Sequence, residues 1–387
     1  MRSRLFIAVA ATMFVDSLLY LAIVPLLPWY ADQFGLGRVG AALLLASYPV
    51  SFLIVTAPAG WLASRLGARR IVIIGTACFI VATLLFAWAP SAGVVIVARV
   101  LQGAGGGINW GAAMAWLTGN TPPERRSRVT GAISGVLAAG AVCGPIVGAL
   151  AGSTSPTAVF GLVSVLAVGA LALSIATPAG AEMPRDPALH TTLGRLLGHP
   201  LVVCSLAFSL ADAVGVAAVD LLAPLALGEH GVSSAAIGAA LTIGAALGIV
   251  AAQVAGRVGE RVGSFPVALV GGAGMGIVPA LLVLPLPDWG VLVLLAALGP
   301  FFPILMTGVF PLMNAAADDL GLSHGTANAL PNMVWSAGFA VAPLLVAPLA
   351  DATGDATAYA VIALMVFGLL AIAVLMRARA RNLSLSH

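Results

Sequence analysis

Apolar runs of some 20 residues recur from one end of this chain to the other, and charged residues fall almost entirely in the short gaps between them. A helix rising about 1.5 Å per residue needs about 20 residues to cross a hydrocarbon core of about 30 Å. The pattern therefore predicts membrane helices over roughly 5–30, 39–64, 70–89, 92–118, 127–152, 156–178, 200–228, 233–256, 264–286, 289–317, 325–350 and 356–377. The expected fold class is an all-α membrane protein of twelve transmembrane helices. The first run follows Met1-Arg2-Ser3-Arg4 as a signal peptide would, but Asp16 interrupts it and no small-residue cleavage site leads into a soluble domain. It is expected to remain as the first span.

Composition strengthens this picture: 61% of residues are hydrophobic and 8% charged, against about 45–50% and about 25% in soluble domains. All the basic residues are arginine, which sharpens the use of Lys/Arg bias in short loops to set orientation. Arg2, Arg4, Arg65, Arg69, Arg70, Arg125, Arg126, Arg128, Arg185, Arg195, Arg257, Arg261, Arg377, Arg379 and Arg381 fall on one side of a twelve-span topology. Both termini are then cytoplasmic, in a cell inner (plasma) membrane. Arg38 lies in an outer loop and Arg99 inside a span, so the net charge of +3 reflects topology and predicts no nucleic-acid partner. Cys78, Cys143 and Cys204 lie within spans without paired spacing, and Asp318, Asp319 and His324 read as a solvated loop. No metal and no cofactor are expected.

The chain also repeats. Asp16 and Asp212, Pro28 and Pro224, Gly60 and Gly256, Arg65 and Arg261, and Gly67 and Gly263 are each 196 positions apart. Gly140 and Pro145 match Gly338 and Pro343 at an offset of 198. Five agreements at one offset imply a duplicated six-helix unit, with 1–178 and 200–387 as pseudo-symmetric bundles and 179–199, containing Pro184 and Pro187, as a cytoplasmic linker. Parallel repeats of this kind are a transporter architecture whose substrate site lies near mid-membrane between the halves.

Between the second and third spans stands Gly60-Trp-Leu-Ala-Ser-Arg65-Leu-Gly67-Ala-Arg69-Arg70. It resembles the loop signature of the major facilitator superfamily, with Ser64 where that signature usually has an acidic residue. The fourth span carries Arg99-Val-Leu-Gln102-Gly103-Ala-Gly105, and the fifth Gly140-Ala-Val-Cys-Gly144-Pro145-Ile-Val-Gly148. The first resembles the superfamily's helix 4 motif, and the second is similar to the antiporter motif of drug/proton antiporters. With Asp16, Pro25 and Pro28, these segments resemble the twelve-helix branch that includes bacterial multidrug exporters and vesicular monoamine transporters. The monoamine carriers place acidic residues in helices 10 and 11, where this chain offers Met306, Thr307 and Asn332. That departure points away from a strictly aminergic substrate. Helices 1, 4, 7 and 10 line the central cavity in the resembled fold.

Asp16, Arg99, Asp212 and Asp220 are ionisable residues within predicted spans. Each would cost about 2.5–3.5 kcal/mol if it faced lipid at mid-helix, so they must face a cavity or one another. Depth places Asp16 and Arg99 within a few ångströms of the same membrane level, and a direct interaction between them is expected. Asp16 and Asp212 are the symmetric candidates for proton coupling and cation binding; Asp220, two turns beyond Asp212, is a third. Arg99, Gln102, Gly103, Gly106, Asn109 and Trp110 form one stripe on the fourth span, wide enough to line a pocket. The glycines there lack the strand and Lys-Ser/Thr of a phosphate loop and suit close helix packing, as do Gly140, Gly144 and Gly148. Further cavity candidates are Tyr20, Asn314, Asn328, Asn332 and Trp335.

These residues predict a proton-driven antiporter exporting a small organic or amphipathic compound, with protons, a small-molecule substrate and lipid as its partners. The protein is expected to be monomeric and not an enzyme. A proton-coupled importer would use the same carboxyls with cooperative occupancy. A membrane sensor or intramembrane enzyme would need a soluble domain or a catalytic cluster that the sequence does not display.

Overall fold

A computed structural model describes residues 2–180, 194, 196–322 and 324–385. Most of the expected linker, with Pro184, Arg185, Pro187 and Arg195, lies outside the described residues, as does the side chain of His324. Every predicted span is helical over most of its described length. These are α1 (Arg2–Ala22), α2 (Arg38–Leu66), α3 (Ala68–Ala87), α4 (Ala92–Gly119), α5 (Pro123–Ser153) and α6 (Pro156–Ala176). The later set is α7 (Pro200–Glu229), α8 (Ser234–Val262), α9 (Ser264–Leu281), α10 (Asp288–Leu320), α11 (His324–Thr353) and α12 (Asp355–Leu385). No strand occurs among the described residues.

The first span is not one continuous helix. α1 stops at Ala22, a 3₁₀ turn occupies Val24–Leu26, and a short helix, Leu27–Phe34, completes the crossing. Pro25 explains the break, because it has no N–H to bond the preceding turn and its ring crowds the carbonyl four residues back. Its counterpart at the 196 offset is Leu221, and α7 runs through that position unbroken.

Among the described residues, eleven helices are long and apolar enough to cross a bilayer. The span containing α4 is missing from that set because Arg99, Gln102, Asn109 and seven glycines dilute its apolar content. α4 nevertheless buries Arg99, Gln102 and Asn109 to within 1% exposure. Its polar groups are hidden by neighbouring helices, while Leu162, Trp289 and Leu364 on other helices are more than 60% exposed and suited to lipid.

The chain divides into two compact units: the described residues of Met1–Asp186 with Pro224–Thr242, and those of Pro187–Ala223 with Ile243–His387. In the first, α4 packs between α2 and α3, and α1 packs on α5. A buried apolar cluster that includes Met13, Ala63, Ile71, Ala113, Trp116 and Ile133 joins these five helices. This unit also takes the end of α7 and the start of α8, where Arg38 meets Glu229 at 3.5 Å. In the second unit, α9 packs on α10 and α12, and α10 on α11.

The duplication extends to individual contacts. A Cβ on Gly103 would strike the Tyr48 carbonyl, and a Cβ on Gly299 would strike Gly244, its partner at the same offset. Gly75 closes on Ile108 and Asn109; Gly271 closes on Ile304 and Leu305. Gly140 would bring a Cβ 2.8 Å from Ser17 Cβ, as Gly338 would to Ala213 Cβ. The hairpin glycines Gly67 and Gly263 share positive φ, 91° and 89°, a backbone region costly for a residue with a Cβ.

Candidate functional site

The site in the first unit is assembled from α1, α2 and α4. Asp16 is 6% exposed and accepts a hydrogen bond at Oδ1 from the Tyr48 hydroxyl. Arg99 is 1% exposed, with its guanidinium 4.9 Å from the centre of the Tyr48 ring. A desolvated cation–π contact of this kind contributes about 2 kcal/mol. Arg99 Nη1 donates to the Leu19 carbonyl at 3.3 Å and to Gln102 Oε1 at 3.2 Å. Gln102 in turn donates to Thr83 Oγ on α3 at 3.3 Å. The Tyr20 ring leans on the Tyr48 ring at 5.0 Å.

The direct Asp16–Arg99 contact expected from depth is not made; among the described residues no ion pair joins them. Tyr48 connects them instead, binding the acid through its hydroxyl and the base through its ring. Its aromatic body and polar tip let one side chain serve both in a dry interior. Backbone shape makes room for this. A Cβ on Gly106 would collide with both the Tyr48 hydroxyl and Asp16 Oδ1, so α4 can approach only because that position has no side chain.

The polar stripe on α4 divides between two neighbours. Gly103, Gly106 and Gly107 close on α2. Gln102 meets Thr83, and Asn109 Oδ1 accepts from Thr76 Oγ at 3.3 Å, both on α3. Gln102 and Asn109 are therefore internal brackets of the bundle, where an open lining was expected. Trp110 is half-buried, its ring 6.4 Å from that of Phe52.

The second unit places Asp212 differently. It is fully buried, and the Trp335 indole donates to its Oδ2 at 2.7 Å from α11. Asp212 Oδ1 has no hydrogen-bond partner. Asp220 is 4% exposed on the same helix. Phe339 backs Trp335 with a ring separation of 5.1 Å. Nearer the end of α10, Asn328 donates to Asn314 at 2.9 Å, and Asn332 donates to the Asn328 carbonyl at 3.2 Å. The Asn328–Asn314 bond ties α10 to α11.

The motif residues sit at helix junctions. Arg65 is exposed and stacks 4.2 Å from the Trp61 ring, while the Ser64 hydroxyl bonds the Trp61 carbonyl at 2.7 Å. Arg69 donates to the carbonyls of Ser174 and Ile175, covering the C-terminal end of α6 where unpaired carbonyls collect. Gly60 has open space around it, and Arg261 is exposed in the last turn of α8. On α5, Gly140, Gly144 and Gly148, spaced four residues apart, form a stripe against α1, and Gly148 closes on the Ala22 carbonyl and Pro25 at the break. Pro145 lies within this stripe, and no metal-holding cluster occurs among the described residues.

Tyr48, Thr76, Thr83 and Gly75 were not foreseen from the sequence. Tyr48 had one available signal: it is among only four tyrosines in the chain and stands in mid-span beside Pro49.

The Major Facilitator Superfamily profile matches residues 5–343. Among curated proteins, the chain is 28% identical to the quinolone resistance protein NorA of Staphylococcus aureus over 176 residues, 44% of this chain and 43% of NorA. It is 28% identical to the MFS-type transporter ppzB of Metarhizium rileyi over 172 residues, 43% of this chain and 35% of that protein. The chain thus spans less than half the length of the curated relatives it matches. Among solved structures, a bacterial homologue of the human lysosomal transporter Spinster superposes with a TM-score of 0.72 at 15% identity, covering 97% of this chain and 95% of the other.

Proposed function

Because the chain belongs to the major facilitator superfamily, we propose that it is a proton-coupled antiporter exporting small organic or amphipathic compounds by alternating access. The observation that carries this reading is a buried carboxyl in each unit lacking a direct cationic partner. Asp16 is held by a neutral phenol, and Asp212 by a neutral indole with one oxygen unpaired. An unpaired ion costs several kcal/mol to bury, so groups of this kind are suited to exchange a proton or meet a cationic ligand when access changes. Asp220 is assigned to the same work, nearer the other end of α7, and Arg99 tunes Asp16 through Tyr48.

Protonation and substrate occupancy compete in this scheme, which makes the exchange an antiport. The partial resemblance to NorA supports an efflux direction. The α5 glycine stripe against the broken α1 supplies a close contact on which helices can rock. Residues 1–178 and 200–387 act as the two moving bundles, and the arginine distribution supports cytoplasmic termini in a plasma membrane. The transporter acts as a monomer, without enzymatic chemistry.

The test is transport in oriented proteoliposomes with an imposed pH gradient, using a panel of lipophilic cations, neutral drugs and metabolites. Substrate moving against the proton flux is the expected result. Movement with the proton flux would overturn antiport.

A further inference from the structure

The first-unit cluster contains two donors with nothing to donate to. Arg99 Nε and Nη2 are buried and have no hydrogen-bond partner, although the guanidinium binds Leu19 and Gln102 through Nη1. Buried donors of a charged group are rarely left unmade. The Asp16 carboxylate, held by the Tyr48 hydroxyl, is a charged acceptor within electrostatic reach of this guanidinium. We propose that Tyr48 is a positioning residue that keeps Asp16 off Arg99, and that Arg99 Nε and Nη2 are the alternative seat of the Asp16 carboxylate. The inference rests on the reading of Asp16 as a coupling group and adds the side chain that selects between its two partners.

Three features separate this role from ordinary packing of a buried tyrosine. Gly106 leaves room for the Asp16–Tyr48 bond at the α4 backbone, and any Cβ there would meet both partners. The position answering to Tyr48 is Gly244, and that answering to Arg99 is Leu295, so the device is confined to one unit. The Tyr48 ring already bears the guanidinium at 4.9 Å, leaving the carboxylate a short transfer from hydroxyl to guanidinium. In that transfer the phenol keeps its proton, no bond but a hydrogen bond breaks, and a neutral ion pair replaces two separated charges.

The ionisable groups around the switch are limited. Tyr48 comes from α2 and Arg99 from α4; Tyr20 comes from α1, and Tyr30, from Leu27–Phe34, lies within electrostatic reach of Arg99. α6 carries no ionisable residue, and beyond its first two turns α5 offers only Cys143.

The experiment is nuclear magnetic resonance of the full chain in lipid nanodiscs with ¹⁵N-arginine, without substrate or pH gradient. The Nε–H signal of Arg99 is assigned by its loss in Arg99→Gln. In Tyr48→Phe it is expected to shift downfield as the carboxylate arrives, and to return in Asp16→Asn/Tyr48→Phe. Gly106→Ala, which wedges a methyl group into the Asp16–Tyr48 bond, is expected to reproduce the shift and provides the same test should Tyr48→Phe not fold. An unchanged signal in folded Tyr48→Phe or Gly106→Ala overturns the proposal. So does a shift that persists in the double variant, because Asp16 is then not its cause. The signature without proton-coupled transport in proteoliposomes would overturn the antiport reading and leave the positioning role standing.

Discussion

At position 16 the repeat sets a carboxyl beside a phenol and, through it, an arginine; at position 212 it sets the same group beside an indole, with an oxygen left over. Two glycine contacts of the surrounding scaffold correspond between the units. Gly103 on Tyr48 answers to Gly299 on Gly244, and Gly75 on Asn109 to Gly271 on Leu305. The buried polar residues of α4, Arg99, Gln102 and Asn109, answer to Leu295, Leu298 and Leu305 on α10, which are as deeply buried. Duplication therefore retained the positions where backbones touch and changed the side chains between them. The reason is physical: a glycine contact is limited by backbone geometry, whereas a buried leucine can replace a buried polar network at similar volume if the whole network goes.

The comparison can be broken most severely at the carboxyls. Asp16→Asn is expected to reduce gradient-driven transport to that of protein-free liposomes; full retention would remove Asp16 from coupling. Next in size is Leu295→Arg, which copies the Arg99 charge into the second unit without its tyrosine and glutamine. An uncompensated buried charge should cost about 3–5 kcal/mol, read as a lowered unfolding midpoint in detergent. An unchanged midpoint would mean that the second unit already offers arginine a seat.

Gly103→Ala and Gly299→Ala test the shared scaffold. Each should destabilise by about 1–3 kcal/mol, and by similar amounts, because each inserts a methyl group at the same backbone crossing. A large disparity would break the equivalence of the two contacts. Trp335→Phe removes the indole donor to Asp212 and should cost about 1.5–3 kcal/mol if the carboxyl stays charged. Its thermal shift sharpens the contrast with Tyr48→Phe, whose carboxyl has a second partner available. Smallest is Glu229→Gln, which removes the exposed Arg38 pair and should change stability by less than about 1 kcal/mol.

Much of the fold was legible along the chain. Lipid demands that each crossing satisfy its own backbone, so twelve apolar runs had to become helices wherever they could not pair as strands. The break in the first span was signalled by Pro25 and Pro28, though the sequence did not reveal that Leu221 would leave α7 whole. α4 was legible as a span despite its polar residues, but the partition of its stripe was not. Helical periodicity places Gly103, Gln102 and Asn109 on one broad side; which neighbour covers each depends on helices brought in from elsewhere in the chain.

The sequence by itself determined the membrane body, the repeat and the identity of the buried carboxyls, because the cost of charge in hydrocarbon makes Asp16, Asp212 and Asp220 conspicuous wherever they occur. Only the tertiary structure decided their partners. Tyr48 is 32 residues from Asp16 and Trp335 is 123 from Asp212, so neither pairing leaves a local pattern. A hydrogen bond is set by ångström-scale packing, and that packing depends here on glycines whose importance lies in the side chain they lack.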